Sequence, residues 1–286
     1  MPLPPLSPGA MVSEMAVDPL GVSVIVLGAV GYGVGVRRLA DRGRAWPVGR
    51  SVAFAGALLA FAVATLSGLA AYDTIQFSAH MAQHLLLGMA VPVLLVVARP
   101  VTLILQAGSR PTQVTTLRVL LHNPVVAFLT RPLVAFVAFV STLWLLYFTP
   151  LYDLSARNDA LHLGLHVHFV VVGVLFYGAV LATDPRPHEA PPATRLGLSF
   201  LALPAHAFLG MALLAGTAII GHDAHVSGRQ PWQGDALADQ RLAAGLLLSV
   251  GEIVGLAVVL AIVWSWMAAD GRAADREARA GGWETP

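Results

Sequence analysis

Seven apolar segments of about 20 residues recur along the chain, at 20–36, 51–71, 77–98, 132–149, 161–182, 196–220 and 242–267. Each is long enough to cross a hydrocarbon core of roughly 30 Å. Charged residues make up only 12% of the chain, too few to cover a water-soluble protein of this size. The sequence therefore predicts an all-α, polytopic membrane protein. Its seven transmembrane helices fill residues 20–269, between an N-terminal tail (1–19) and a charged cytoplasmic tail (270–286).

The arginines predict the orientation of these spans. If the first connection is cytoplasmic, fourteen arginines lie on the inner side, and three lie on the outer side: Arg157, Arg229 and Arg241. Positive side chains favour the cytoplasmic face of a membrane. We therefore expect the N-terminus outside and the C-terminus in the cytoplasm.

Two residue types are missing from the sequence, and both absences restrict the chemistry. The chain has no cysteine, which excludes disulfides, thiolate metal ligands and iron–sulfur clusters. All 17 basic residues are arginine, so a lysine Schiff base to retinal or pyridoxal is excluded as well. No basic stripe indicates nucleic-acid binding.

The ten histidines are unevenly distributed, with seven predicted at the outer side of the membrane. His80 and His84 are four residues apart at the outer end of span three, and His162 and His166 are four apart in span five. Residues at this spacing share one helical face. If the two spans are neighbours, four imidazoles converge on one metal site. The alternative is that each is an interfacial histidine bonded to water or to a loop carbonyl.

Copper is the metal that this donor set favours, because imidazole and thioether suit copper, whereas calcium and magnesium prefer oxygen. Met81 lies on the same helix as the first pair, although a membrane methionine commonly serves only packing. His168 is two residues beyond His166, about 200° round the helix, and should point elsewhere. The possible accessory ligands are Met81, His168, His222 and His225.

Two polar residues are predicted near mid-membrane, His206 in span six and Glu252 in span seven. A charged group there is costly unless it is paired or protonated. We expect the two to be in contact, either as a proton relay or as a structural ion pair.

Several stretches resemble the polytopic CtaG family of bacterial cytochrome c oxidase assembly factors. They are Ala79-His80-Met81-Ala82-Gln83-His84-Leu85-Leu86-Leu87 with Pro92 and Arg99-Pro100, His122-Asn123-Pro124, Thr149-Pro150-Leu151-Tyr152-Asp153, the His162/His166 pair, and Asp239-Gln240-Arg241 leading to Gly251-Glu252. The motif at the start of span seven is carried by Asp239 and Gln240. Where relatives end span four in Trp-His-x-Pro, this chain has Tyr147-Phe148-Thr149-Pro150, so span four is expected not to bind the ion.

The resemblance implies a non-enzymatic assembly factor of the bacterial inner (plasma) membrane. It would receive copper from an extracytoplasmic donor protein and deliver it to the CuB centre of haem–copper oxidase subunit I. Two alternatives stay open at this point. One is a membrane copper transporter, and the other is a haem-binding or quinone-linked redox membrane protein with histidine ligands.

Overall fold

A computed structural model describes residues 3–15, 18–221 and 230–281, and this part of the chain is helical without any strand. Seven long helices form a bundle. They are α1 (Pro19–Asp41), α2 (Val48–Leu66), α3 (77–98), α4 (Pro132–Phe148), α5 (Asp159–Leu181), α6 (Pro192–Ala215) and α7 (236–281).

Six of these helical stretches are long and apolar enough to cross a membrane. The remaining one, α4, has 17 residues, which at 1.5 Å per residue gives about 26 Å, slightly less than a typical hydrocarbon core. The predicted all-helical class is confirmed, together with six candidate spans. The seventh span and the orientation stay predictions.

Short helices connect or flank the long ones: Ala10–Ser13, Gly68–Tyr72, Pro100–Ala107, Arg110–His122, Pro124–Leu129 and Leu151–Ala156. The helix Arg110–His122 lies in the connection between α3 and α4. All of its side chains are at least partly exposed. Proline occupies the first turn of several of these helices, where its missing N–H costs nothing.

Two of the long helices contain a π-turn. In α3 it covers Leu86–Ala90, directly after His84 and Leu85, and in α7 it covers Leu247–Gly251, directly before Glu252. Such turns insert one residue into the α-helical register and occur frequently at functional sites. The side chains after each π-turn therefore point in a different direction from the one they would have in a continuous α-helix.

Helices α3 and α5 lie in direct contact, which sequence alone could not establish. A Cβ atom built on Gly173 of α5 would lie 2.5 Å from Pro92 Cγ and 2.6 Å from the Gly88 carbonyl oxygen of α3. Only a residue without a side chain allows this approach. The contact fixes the separation of the two helices that carry the histidine pairs.

The N-terminal segment predicted as a tail packs against the end of the bundle at which α3, α5 and α7 begin. Tyr72 donates a hydrogen bond to the Pro4 carbonyl (2.7 Å), and Trp232 Nε1 donates one to the Leu3 carbonyl (2.6 Å). Ala10 is buried against Gly68. This segment therefore covers the end of the bundle where the histidines collect.

Candidate metal centre

The helix that carries His80 and His84 is capped from another helix. Asp239 of α7 accepts hydrogen bonds from the Ser78 backbone N–H (3.2 Å), the Ser78 hydroxyl (2.5 Å) and Gln76 Nε2 (3.4 Å). A carboxylate that accepts the first free N–H groups stabilises a helix start. The predicted motif residue Asp239 thus fixes the start of α3 one turn before the first histidine pair.

Gln240, the second predicted residue of that motif, joins α7 to the segment after α6. Its side-chain oxygen accepts from Ile220 N–H (2.9 Å), and its amide nitrogen donates to the carbonyls of Leu213 (3.4 Å) and Ala218 (3.2 Å). The side chain is almost completely buried. Its role in the described structure is to hold this connection in place.

The structure brings the four predicted histidines into one cluster. The rings of His80 and His84 have centroids 3.8 Å apart, and those of His162 and His166 are 4.4 Å apart. Across the two helices, His80 and His162 are separated by 6.1 Å, and His84 and His166 by 6.5 Å. An imidazole nitrogen binds a metal at about 2.0 Å, so rings on opposite sides of one ion have centroids about 6 Å apart. The cross-helix distances are close to that span.

His162 is held by a buried carboxylate that the sequence analysis missed. Its Nε2 lies 2.9 Å from Oδ2 of Asp73, in the turn before α3. The side chains of Asp73, His162 and His166 each offer one ligand atom, and these atoms lie within 4.8 Å of one another. Asp73 is only 3% exposed. Nothing in the local sequence marks it, because the contact forms only when α5 packs beside this turn.

Two further side chains contact the rings of His166 and His84. His166 Nε2 lies 2.9 Å from Gln83 Oε1, and Gln83 Nε2 donates to the Ala64 carbonyl at 2.9 Å. His84 Nδ1 lies 3.0 Å from the hydroxyl of Tyr147 at the end of α4. Gln83 was visible in the motif as a residue between the two histidines of α3. Tyr147 comes from the span that the sequence analysis left out of the site.

Aromatic rings surround the cluster. Tyr152 stands nearly perpendicular to His80 at a centroid distance of 4.7 Å, and Phe169 covers His84 at 4.1 Å. Burial raises the pKa of the Tyr152 phenol well above its usual value, and the nearby acidic groups, Asp73 among them, raise it further. Tyr152 is therefore neutral at physiological pH, and it covers one side of the histidine cluster.

Two pockets adjoin the cluster from different directions. One, of about 450 Å³, is lined by Tyr147, Tyr152 and Asp153 at the end of α4. The other, of about 270 Å³, lies between α1, α2 and α5 with mainly apolar walls, and its lining includes Gln83 and His166. The cluster thus lies between a pocket at the helix ends and a groove on the side of the bundle.

The accessory candidates have different positions. Met81 is fully buried, with its sulfur 3.9 Å from the Tyr147 hydroxyl. His168 lies on the other face of α5, where its Nε2 is 3.0 Å from the Thr142 hydroxyl, and the structure does not bring it to the cluster. His222 and His225 lie outside the described residues.

His206 and Glu252 line the same small cavity, of about 20 Å³. Met89 lines this cavity and also the neighbouring one that reaches His84. No hydrogen bond or ion pair joins the two in the described part of the chain. His206 Nδ1 instead donates to the Ala202 carbonyl at 2.9 Å. His206 and Glu252 therefore line one cavity, but the predicted direct polar contact between them is not present among the described residues.

The fold and the cluster define a class: a multi-pass helical membrane protein with a buried histidine centre between two adjacent helices. A family model described as cytochrome c oxidase caa3 assembly factor (Caa3_CtaG) matches residues 30–269. The chain belongs to this family, as its sequence motifs predict. It is accordingly a multi-pass protein of the bacterial plasma membrane.

Mycobacterial proteins are similar to this chain. Protein Mb0105 of Mycobacterium bovis and protein MT0111 of Mycobacterium tuberculosis are each 40% identical over 266 residues, and ML1998 of Mycobacterium leprae is 38% identical over the same length. These matches cover 91% of this chain, which spans about 40% of the length of the relatives. No solved structure matches the chain.

Proposed function

We propose that the protein binds copper on His80, His84, His162 and His166 and helps to deliver it to the CuB centre of oxidase subunit I. The observation that carries this proposal is the convergence of two histidine pairs from separate helices, with cross-helix centroids 6.1 and 6.5 Å apart. A buried group of neutral imidazoles is a natural ligand set for copper. The role is that of an assembly factor without catalysis.

Two buried ring nitrogens support a fit between these residues and a metal ion. His84 Nε2 and His162 Nδ1 are shielded from solvent and have no hydrogen-bond partner in the described part of the chain. A buried polar atom without a partner is costly. A bound cation would satisfy both atoms.

The topology proposed with this function has seven spans, with α4 as the short one and the N-terminus outside. The arginine asymmetry of the sequence supports it. In this orientation the histidine cluster faces the outer side of the membrane. The pocket beside Tyr147 and Tyr152 then opens toward an extracytoplasmic copper donor.

Transfer to the oxidase would occur sideways, within the membrane. The groove between α1, α2 and α5 has apolar walls that include Leu20, Phe61 and Val170, and His166 lies along it. A membrane-embedded partner such as oxidase subunit I can approach a lateral opening of this kind. This explains why the ligands lie within helices and not in a water-exposed domain.

The test is the double variant His80→Ala/His84→Ala, compared with His122→Ala. His122 is an exposed histidine at the end of the helix Arg110–His122 and provides the matched control. We expect the double variant to yield an oxidase that contains haem but lacks CuB, and the control to yield a fully metallated enzyme. Normal oxidase copper in the double variant would contradict the proposal.

A second candidate function is copper transport, and one observation favours it. A small cavity of about 20 Å³ lined by His84, Met81 and Met89 also reaches His206, and a neighbouring cavity of the same size extends from Met89 and His206 to Glu252. These side chains would provide a path for copper into the bundle. Copper flux into vesicles that contain the purified protein, abolished in His206→Ala, would support transport over delivery.

A further inference from the structure

Each of three histidines in the cluster makes one hydrogen bond through one ring nitrogen. A neutral imidazole carries one proton, so one nitrogen donates and the other accepts or binds a metal. The partner of the bonded nitrogen therefore decides which nitrogen is left for an ion. The three partners are Asp73, Gln83 and Tyr147, and each comes from a different part of the chain.

The amide of Gln83 settles the tautomer of His166. Its nitrogen donates to the Ala64 carbonyl, so its oxygen is the atom that faces the ring. An amide oxygen can only accept, and His166 Nε2 must therefore carry the proton. The unprotonated nitrogen of His166 is Nδ1.

The carboxylate of Asp73 acts in the same way on His162. A carboxylate accepts hydrogen bonds, so the 2.9 Å contact assigns the proton to His162 Nε2. In the neutral imidazole, which is the form that binds a metal, His162 Nδ1 is then the unprotonated nitrogen. This atom is also one of the two buried ring nitrogens that lack a hydrogen-bond partner among the described residues.

Tyr147 contacts the opposite nitrogen of His84. Its hydroxyl lies 3.0 Å from His84 Nδ1 and 3.9 Å from the sulfur of Met81, so its oxygen can accept from Nδ1 while its proton points to the sulfur. In this arrangement His84 Nε2 is unprotonated, and it is also buried and without a hydrogen-bond partner in the described structure. With this assignment, the three contacts leave one free lone pair on each of three rings.

We propose that Asp73, Gln83 and Tyr147 are positioning residues of the metal centre, which present Nδ1 of His162, Nδ1 of His166 and Nε2 of His84 to the ion. The identity of the ion in this inference rests on the proposed copper function. The tautomers of the histidines do not depend on a bound ion. Partners of this kind typically contribute 10- to 100-fold to metal affinity. Asp73 is the one charged member and also offsets part of the charge of a bound cation.

The first test is ¹⁵N NMR of the histidine-labelled, metal-free, full-length protein in lipid nanodiscs, with each ring assigned by single substitution. We expect protonated Nε2 on His162 and His166 and protonated Nδ1 on His84. This measurement uses the wild-type protein, so it does not depend on the folding of any partner variant. The opposite tautomer on two or more of these rings would overturn the inference.

The second test compares variants that remove a partner with variants that retain an acceptor. Gln83→Leu and Asp73→Leu should lower the affinity for Cu(I), measured by competition with a chelator, by 10- to 100-fold. Gln83→Glu and Asp73→Asn each keep an acceptor oxygen, and we expect them to preserve the tautomer and to bind Cu(I) within a few-fold of wild type. Tyr147→Phe should release the His84 tautomer and lower the affinity.

The matched control is Thr142→Val, which removes the partner of His168 outside the cluster. It should alter the His168 signals alone and leave Cu(I) affinity unchanged. Equal affinities for Gln83→Leu, Gln83→Glu and wild type would overturn the positioning role. Wild-type protein with the expected tautomers but no Cu(I) binding would instead defeat the proposed function and leave the hydrogen-bond assignment standing.

Discussion

At the scale of single residues, Asp239 has the most specific structural role in the site. It accepts two hydrogen bonds from Ser78 and one from Gln76, and so connects the start of α7 to the start of α3. The first histidine pair follows within two turns. The position of His80 and His84 therefore depends on a carboxylate from another helix.

Asp239→Ala should lower the thermal unfolding midpoint of the purified protein, because the loss of a helix cap costs about 1 kcal/mol. Asp239→Asn keeps an acceptor oxygen and should lose less. Asp270→Ala, at an exposed position in the C-terminal part of α7, is the control and should leave the midpoint unchanged. Equal midpoints for Asp239→Ala and wild type would show that the cap contributes nothing.

Sequence reasoning predicted which histidines lie together, but it did not predict the side chains that contact them. The i,i+4 spacing defines which rings share a face of one helix, and this local property made His80/His84 and His162/His166 recognisable. The offset of His168, predicted from helix geometry, matches its contact with Thr142. Asp73 and Tyr147 could not be found in this way, because their contacts depend on how α4 and α5 pack beside α3.

At the scale of the elements, the contact between α3 and α5 determines whether the two histidine pairs can act together. Gly173 allows the backbone of α5 to approach Gly88 and Pro92 of α3. The neighbouring π-turn follows His84 by two residues. Neither the close approach nor the π-turn produces a repeating pattern of hydrophobic residues. The sequence therefore predicted the two helices but not the distance between them.

Gly173→Ala should push the two helices apart, since the added Cβ would meet the Gly88 carbonyl and the Pro92 ring at less than 3 Å. Overpacking of this kind costs about 1–3 kcal/mol. We expect a lower thermal unfolding midpoint and a Cu(I) affinity at least tenfold weaker than that of wild type.

Gly164→Ala on the same helix is the matched control, because no described atom lies within 4 Å of a Cβ built there. It should leave both the midpoint and the affinity unchanged. If Gly173→Ala bound Cu(I) as tightly as Gly164→Ala, the close approach of α3 and α5 would not be required for the site.

At the scale of the whole molecule, hydropathy predicted the helical architecture in outline, and the orientation taken from the arginine distribution stays a prediction. The seven apolar segments correspond to seven long helices, and six of these meet the length expected of a span. The shortest, α4, still contributes Tyr147 to the histidine cluster. Because α4 has only 17 residues, the seventh span stays a prediction.

The topology can be tested directly because the chain has no cysteine. We expect a membrane-impermeant maleimide to label Asp159→Cys in intact cells and to label Thr115→Cys only after the membrane is opened. Asp159 begins α5 beside the histidine cluster, and Thr115 lies in the helix Arg110–His122. Labelling with the opposite preference would put the cluster on the cytoplasmic side.

The most direct test of the central claim is copper K-edge X-ray absorption on the copper-loaded, full-length protein. We predict a first shell of imidazole nitrogens at about 2.0 Å, with fewer nitrogen neighbours when His162 and His166 are replaced by alanine. A wild-type spectrum without imidazole scattering, or one unchanged by that double substitution, would contradict a copper site shared between α3 and α5.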